Sequence, residues 1–200
     1  MAHYFINDGA DKRTYERITD ICGKEFRFLT SDGVFSKKDI DDGTYWLLTG
    51  ILPLIKDDEV TIADLGCGYG VIGIVIAVMK PRSVCVMFDI NEKAAELANI
   101  NAARNSVADR ASASVRDGLS NLNAPVDYVV TNPPFRAGKQ VVRRFFAESR
   151  EALKPGGVFF AVLRKQQGAE SYIKAIVEIF GNCDVILKKK GYVVVGANKL

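Results

Sequence analysis

Histidine is nearly missing from this chain: His3 is the only one among 200 residues. Mechanisms that need a histidine base, and metal sites built from several imidazoles, lose their usual residues. Cysteine is sparse too. Cys22, Cys67, Cys85 and Cys183 are scattered, with no Cys-x-x-Cys pair, so neither a zinc site nor a disulfide framework is indicated, and no metal is expected. No stretch is both long and apolar enough to span a bilayer, and Met1-Ala2-His3-Tyr4-Phe5-Ile6 lacks the basic and apolar blocks of a signal peptide. The expectation is a cytoplasmic location with reduced thiols. A strong charge of either sign is absent: +3 in total permits a nucleic-acid partner without requiring one. Apolar residues, by contrast, make up 48% of the chain, enough for one domain with a substantial core.

From Val60 onward, apolar strand-like runs alternate with helix-like segments, the pattern of a parallel sheet covered on both faces. Strands are expected near 60–65, 83–89, 111–115, 126–131, 157–163, 183–188 and 192–197. Helices fit between them at about 70–79, 91–104, 139–153 and 168–180, the second opening on Asn91 with Glu92 in its first turn. The expected fold is a doubly wound α/β sheet of seven strands. Lys154-Pro155-Gly156-Gly157 should break the third helix, and Lys190-Gly191 has the composition of a tight hairpin turn. That hairpin puts one antiparallel strand near an edge of the sheet. Before Val60, Phe26 to Leu29 is expected as a strand, Ser31-Asp32-Gly33 as a turn and Tyr45 to Leu52 as a short helix. Without a linker, residues 1–55 are expected as an extension packed on a core of 56–200, all in one domain.

At the end of the strand Val126 to Thr131 stands Asn132-Pro133-Pro134-Phe135. Two prolines forbid ladder or helix from continuing, and because they lack N–H the turn offers mainly acceptors: the Asn132 side-chain oxygen and a neighbouring main-chain carbonyl. Two acceptors suit the two N–H bonds of a planar amine, and Phe135 adds a flat apolar face for the ring that carries it. The plainer alternative is a proline turn with a core phenylalanine.

Ile62-Ala63-Asp64-Leu65-Gly66-Cys67-Gly68-Tyr69-Gly70 is a strand running into a glycine turn, with an apolar helix behind it. Glycines at 66, 68 and 70 let the backbone approach a ligand closely. A dinucleotide fingerprint would also want glycine at 71, where Val71 stands, so pyrophosphate fits less well. The next strand ends on Asp89, where a carboxylate can accept both hydroxyls of a ribose; helix capping through Asn91 is the alternative. Asp117 follows the third strand and can accept an adenine amine or form an Asx turn beside Gly118. Adenosine suits these positions better than phosphate.

Together, Asp64 to Gly70, Asp89, Asp117 and Asn132 to Phe135 resemble the stations of a class I S-adenosylmethionine-dependent methyltransferase over roughly residues 60 to 200. In that superfamily an Asn-Pro-Pro-aromatic motif after the fourth strand marks enzymes that methylate adenine N6, glutamine N5 or guanine N2. Gly33-Val34-Phe35-Ser36 with Asp42-Gly43, the run Asn132 to Lys139, Lys165-Gln166-Gln167-Gly168-Ala169 and Lys188-Lys189-Lys190-Gly191-Tyr192 resemble signatures of the small-subunit ribosomal RNA methyltransferase C family in its single-domain form. The resemblance implies action on guanine N2, and since the longer members carry an extra amino-terminal domain, the single-domain form is the expectation for this chain.

The resemblance implies a Rossmann-like sheet, S-adenosylmethionine as cofactor and ribosomal RNA or an assembling small subunit as partner. It implies that Phe35, Ser36, Asp64, Gly66, Gly68, Gly70, Asp89, Asp117 and Asn132 hold the cofactor, with Gly33 to Ser36 closing over it or else forming a hairpin turn. Asn132, Pro133 and Phe135 would act on the amine, and Pro134, Phe135, Arg136 and Lys139 would meet the substrate. Arg136, Lys139, Arg143 and Arg144 with Lys37, Lys38 and Lys188 to Lys190 would form a basic rim for RNA phosphate. The competing readings are a glutamine-N5 or adenine-N6 methyltransferase and, from another class, an RNA-associated protein that binds the cofactor without catalysis.

Overall fold

A computed structural model of the chain describes residues 14–32 and 40–200. An antiparallel hairpin, β1 (Thr14–Ile21) and β2 (Lys24–Ser31), leads to helix α1 (Asp42–Ile51). Then come β3 (Thr61–Leu65), α2 (Val71–Met79), β4 (Val84–Asp89), α3 (Glu92–Arg104), β5 (Ala111–Val115) and β6 (Val126–Thr131). The chain continues with α4 (Lys139–Ala152), β7 (Leu153–Arg164), α5 (Ala169–Phe180), β8 (Asp184–Lys189) and β9 (Tyr192–Asn198). Seven strands form one sheet in the order β5-β4-β3-β6-β7-β9-β8. All pairs are parallel except those of β9, which runs antiparallel to both β7 and β8. This is the expected Rossmann-like sheet with its antiparallel strand next to one edge.

Alternation along the strands sends successive side chains to opposite faces. Ile62, Tyr128, Val130, Phe160 and Val194 enter a core shared with α1, α2, α3 and the hairpin. Ala63, Leu65, Val129, Phe159, Val193 and Val195 enter a second core under α4 and α5. Helix α2 lies so deep in the first core that it is apolar nearly all round, with Val71 to Ala77 buried. Each fully buried Ile, Leu or Phe contributes about 1.5–3 kcal/mol. Between β8 and β9 both Lys190 (φ 46°) and Gly191 (φ 82°) are left-handed, as a two-residue turn matched to strand twist requires.

One local expectation is corrected, and one strand is additional. Strand β1 has no counterpart in the expected elements; its residues alternate between exposed and half-buried, so its sequence carries little apolar signal. Helix α4 ends at Ala152 and β7 begins at once, with Lys154-Pro155-Gly156-Gly157 inside the strand. The pairing jumps from Val126↔Leu153 to Tyr128↔Val158, so these residues bulge out, which is where a proline without N–H is tolerated. The bulge is tied down by Gly156 N–H to the Lys199 carbonyl (2.7 Å) and Lys199 N–H to the Gly157 carbonyl (2.9 Å).

The hairpin is fastened to the core by side-chain amides. Asn101 on α3, fully buried, accepts from Leu29 N–H (2.6 Å) and donates to the Leu29 and Tyr69 carbonyls (2.8 and 2.9 Å). One turn on, Asn105 does the same for Arg27, accepting its N–H (3.1 Å) and donating to its carbonyl (2.8 Å). The two amides stand in for a neighbouring strand along β2, and Asn101 also holds the glycine loop at Tyr69.

Candidate active site

The strand order reverses between β3 and β6, which run side by side with Leu65 beside Thr131. A ligand crevice forms at the carboxyl ends of strands that flank such a reversal. The Thr131 hydroxyl donates to the Leu65 carbonyl (2.7 Å), so the glycine loop after β3 and the Asn132 turn after β6 leave the sheet as neighbours. Gly66, Gly68 and Gly70 all have positive φ (74°, 56° and 92°), a conformation open mainly to glycine. Around Gly68 a side chain would meet nothing within 4 Å, so among the described residues this turn faces no neighbour. The space beside Gly70 is filled by Ile74 and Ala98, and that glycine lets α2 and α3 close up.

Behind the loop stand two carboxylates. Asp64 is fully buried; its Oδ2 accepts from Gly73 N–H (2.9 Å), and its Oδ1 is a buried atom with no partner among the described residues. Burial pushes its carboxyl from 3.8 up to about 7, against the Gly73 hydrogen bond and with a small further push from the Asp89 charge. Asp89, at the end of β4, accepts from Gly68 N–H (2.8 Å) on Oδ2 and from Asn91 N–H (2.9 Å) on Oδ1. Its pKa is raised by burial, and these hydrogen bonds work against the rise. Ile90 N–H lowers it in the same way, and at least one lone pair of the carboxylate is left over. Asn91 meanwhile caps α3, accepting from Lys93 N–H (3.0 Å). An open glycine turn, an orphaned buried carboxylate oxygen and a half-buried carboxylate next to them fit a ligand that carries an ammonium group and a ribose.

Asp117 is placed less simply. Its carboxylate forms a bidentate ion pair with Arg144 of α4 (2.5 and 3.1 Å), and Leu119 N–H is held by Glu148 (2.7 Å). The loop after β5 is thus anchored to α4, and one lone pair on each Asp117 oxygen is taken. Arg143 likewise pairs with Glu178 (3.0 Å). Two members of the expected basic rim are therefore neutralised.

Asn132 is gripped from its nitrogen side. Its Nδ2 donates to Asp41 Oδ2 (2.9 Å) and to the Thr44 hydroxyl (3.0 Å), and its carbonyl oxygen has no partner among the described residues. Asp41 caps α1 with that same Oδ2, accepting from Thr44 N–H (3.2 Å). Next in sequence, the Pro133 carbonyl accepts from Phe135 N–H (2.9 Å) around Pro134 at φ −77°, ψ 76°, an inverse γ-turn. One lone pair of the expected second acceptor is thereby used and one remains. Phe135 is half-buried with its ring 5.3 Å from that of Tyr172, so it combines the apolar-packing reading with a partly open face.

Arg136 and Lys139 are exposed just beyond it. Arg164, Lys165 and Lys188 to Lys190 stand at the same carboxyl edge, because β7 and β8 both end there and β9 starts there. Arg164 lies 5.6 Å from the centroid of the Tyr192 ring, and Lys189 and Lys190 lie 6.0 and 5.8 Å from that of Trp46. Gly33, Val34, Phe35, Ser36, Lys37 and Lys38 lie outside the described residues. Sequence reasoning missed Asp41, Thr44, Asn101 and Trp46. Asp41-Asp42-Gly43-Thr44 is legible as a helix cap, but nothing local ties it to an asparagine 91 positions away.

Among known proteins, the family described as "Methyltransferase small domain" matches residues 25–196. The uncharacterized protein YbxB of Bacillus subtilis is 40% identical over 182 residues, 88% of each chain. Ribosomal RNA small subunit methyltransferase C of Shewanella loihica is 32% identical over 80% of this chain and 45% of its own length. In structure, a T. thermophilus 16S rRNA guanosine-N2 methyltransferase in complex with AdoMet and guanosine superposes with a TM-score of 0.83 at 27% identity, covering 94% of this chain and 51% of that one. The chain thus spans about half the length of these ribosomal RNA methyltransferases.

Proposed function

Because the chain belongs to the methyltransferase small-domain family, we propose that it transfers the methyl group of S-adenosylmethionine to the exocyclic N2 amine of a guanine in ribosomal RNA. The observation that carries this reading is Asn132: an amide at the carboxyl end of β6, beside the glycine loop, with its nitrogen committed and its oxygen without a partner among the described residues. Bound there, S-adenosylmethionine supplies a methyl already made electrophilic by a sulfonium. What remains for the protein is to hold a nitrogen in line with that methyl and exclude water.

In this reading Gly68 accommodates the cofactor, the orphaned Asp64 oxygen faces its ammonium group, and Asp89 takes its ribose. The Asn132 oxygen and the second lone pair of the Pro133 carbonyl accept the two N–H bonds of the guanine amine. That favours a pyramidal nitrogen whose lone pair points at the methyl. With the cofactor held there, the N–C bond would form as the C–S bond breaks, the C–S electron pair would stay on sulfur, and the nitrogen would give its proton to solvent. No strong base is needed. Phe135 and Pro134 line the base, which must leave its stack to arrive. Support for RNA comes from the carboxyl edge, where Arg136, Lys139, Arg164, Lys165 and Lys188 to Lys190 form no ion pair among the described residues, unlike Arg143 and Arg144. Cations left free beside aromatic rings suit phosphates and unpaired bases.

Incubation with methyl-labelled S-adenosylmethionine and, separately, small and large ribosomal subunits, protein-free ribosomal RNA, transfer RNA and release factor tests the reading. N2-methylguanosine in ribosomal RNA is expected. Label in a protein glutamine or at adenine N6 would overturn the substrate, and wild-type turnover by Asn132→Ala with cofactor binding intact would overturn the role of Asn132.

A further inference from the structure

The grip on Asn132 has a chemical direction. A side-chain amide has one donating end and one accepting end, and either can in principle face inward. Thr44 does not choose between them, since a hydroxyl both donates and accepts. Asp41 does: an ionised carboxylate only accepts, so turning the amide over would set its oxygen against a carboxylate oxygen where a 2.9 Å hydrogen bond now stands. The cap fixes Asp41 in turn, because the oxygen that meets Asn132 is the one that accepts Thr44 N–H. Gly43 keeps the place clear; a β-carbon there would come within 2.7 Å of Asp41 Oδ2 and 3.1 Å of the Tyr192 ring.

We propose that Asp41 is a positioning residue for methyl transfer, locking the Asn132 amide with its oxygen toward the incoming amine and strengthening that oxygen as an acceptor. The second effect follows from the first. A negative charge on the N–H side of an amide pushes its electrons toward the carbonyl oxygen, as hydrogen bonds in a chain polarise one another. Positive charge grows on the amine nitrogen as its bond to the methyl forms, so a more negative Asn132 oxygen stabilises the transition state more than the ground state. The inference rests on the reading of Asn132 as the amine acceptor. It adds the residue that caps α1, ahead of the sheet, to a site otherwise built on strand ends.

The test compares Asp41→Asn, Asp41→Ser and Asn132→Ala with the wild type. Labelled S-adenosylmethionine and an unmodified small-subunit ribosomal RNA transcript or subunit serve as substrates. Asparagine keeps the cap and an acceptor at the same point but removes the charge; serine keeps the cap but is too short to reach Asn132. Expected is a fall in kcat of severalfold for Asp41→Asn and about 10- to 100-fold for Asp41→Ser, the rate equivalent of a hydrogen bond to a charged group. Cofactor affinity and thermal midpoint should stay close to wild type in both.

A readout free of turnover is the side-chain 15N–1H2 signal of Asn132, assigned by its loss in Asn132→Ala. It should move upfield and exchange faster with solvent in Asp41→Ser. Wild-type kcat in Asp41→Ser, an equal loss in Asp41→Asn, a loss confined to cofactor affinity, or an unmoved Asn132 signal would each overturn the inference. If Asn132→Ala itself turns over normally, the reading of Asn132 fails first and the amide signal alone still decides whether Asp41 orients it.

Discussion

Replacing Asp64 by asparagine should flatten the pH dependence of stability, because Asp64 is fully buried and its carboxyl is pushed up to about 7. In the unfolded chain the same group ionises near 3.8. Between those values the folded protein holds a proton that the unfolded chain has released, so stability falls as pH rises through the window and levels off above about 7. Each pH unit costs about 1.36 kcal/mol. The stability of Asp64→Asn relative to wild type should therefore grow by roughly 3 kcal/mol between pH 5 and pH 8, two units of the window lying above pH 5. The substitution also carries a constant penalty, since the new NH2 would sit where Oδ1 now finds no partner, worth about 1–3 kcal/mol. That penalty shifts the whole curve and leaves its slope alone, so the slope is the quantity to read. Urea unfolding of both proteins without cofactor, at half-unit steps from pH 5 to pH 8, supplies it, and subtraction cancels the other titrating groups. Parallel curves would refute the reasoning, for they would mean that Asp64 is ionised in the native state throughout.

Asn101→Ala should destabilise the protein by about 2–4 kcal/mol by stranding the Leu29 and Tyr69 carbonyls and Leu29 N–H; a loss under about 1 kcal/mol in the same assay would show that the hairpin repacks or rehydrates freely. Asp117→Ala should weaken S-adenosylmethionine binding about tenfold by calorimetry with little change in thermal midpoint, since its ion pair with Arg144 is half exposed and such pairs contribute about 0–1 kcal/mol. Unchanged affinity would assign Asp117 to anchoring the loop alone. Lys189→Glu with Lys190→Glu should weaken RNA binding, lower its salt dependence and leave cofactor affinity intact; each lost phosphate contact reduces the slope of log K against log salt by about 0.7–0.9. An unaltered slope would remove this hairpin from the RNA surface. Asp127→Asn, followed by urea unfolding, should destabilise at neutral pH but not in strong acid: despite a contribution from burial that raises it, its pKa is lowered by Lys154 and Thr61 N–H, so its stabilising effect is present above the unfolded value and fades as pH falls.

The sheet was legible because its signals are local and redundant. Phe159 to Leu163 are buried on both faces of a central strand, which shows as an unbroken apolar run, and Gly191 supplies the left-handed residue that a tight hairpin turn takes most cheaply. β1 failed this test because it leans on β2 alone and buries little besides Ile21. Lys154 to Gly157 failed it for the opposite reason. The breakers are real, but the closing of β7 around them depends on Lys199, more than 40 residues downstream, and no window along the chain contains both.

The candidate site divides along the same line. Gly66, Gly68, Gly70, Asp89 and Asn132 announce themselves because each sits where a strand ends and its residue type is unusual there. Asp41 does not, since an aspartate three residues before a threonine at a helix start already has a sufficient reason to exist. Its two hydrogen bonds fall on a single oxygen, so the cap that made it look ordinary is also what holds that oxygen against Asn132. A sequence reading assigns such a residue to the role it can see. The second role appears only when α1 is laid beside the end of β6, and it follows that the acceptor chemistry expected of Asn132 is set as much by the segment before the sheet as by the strand that carries it.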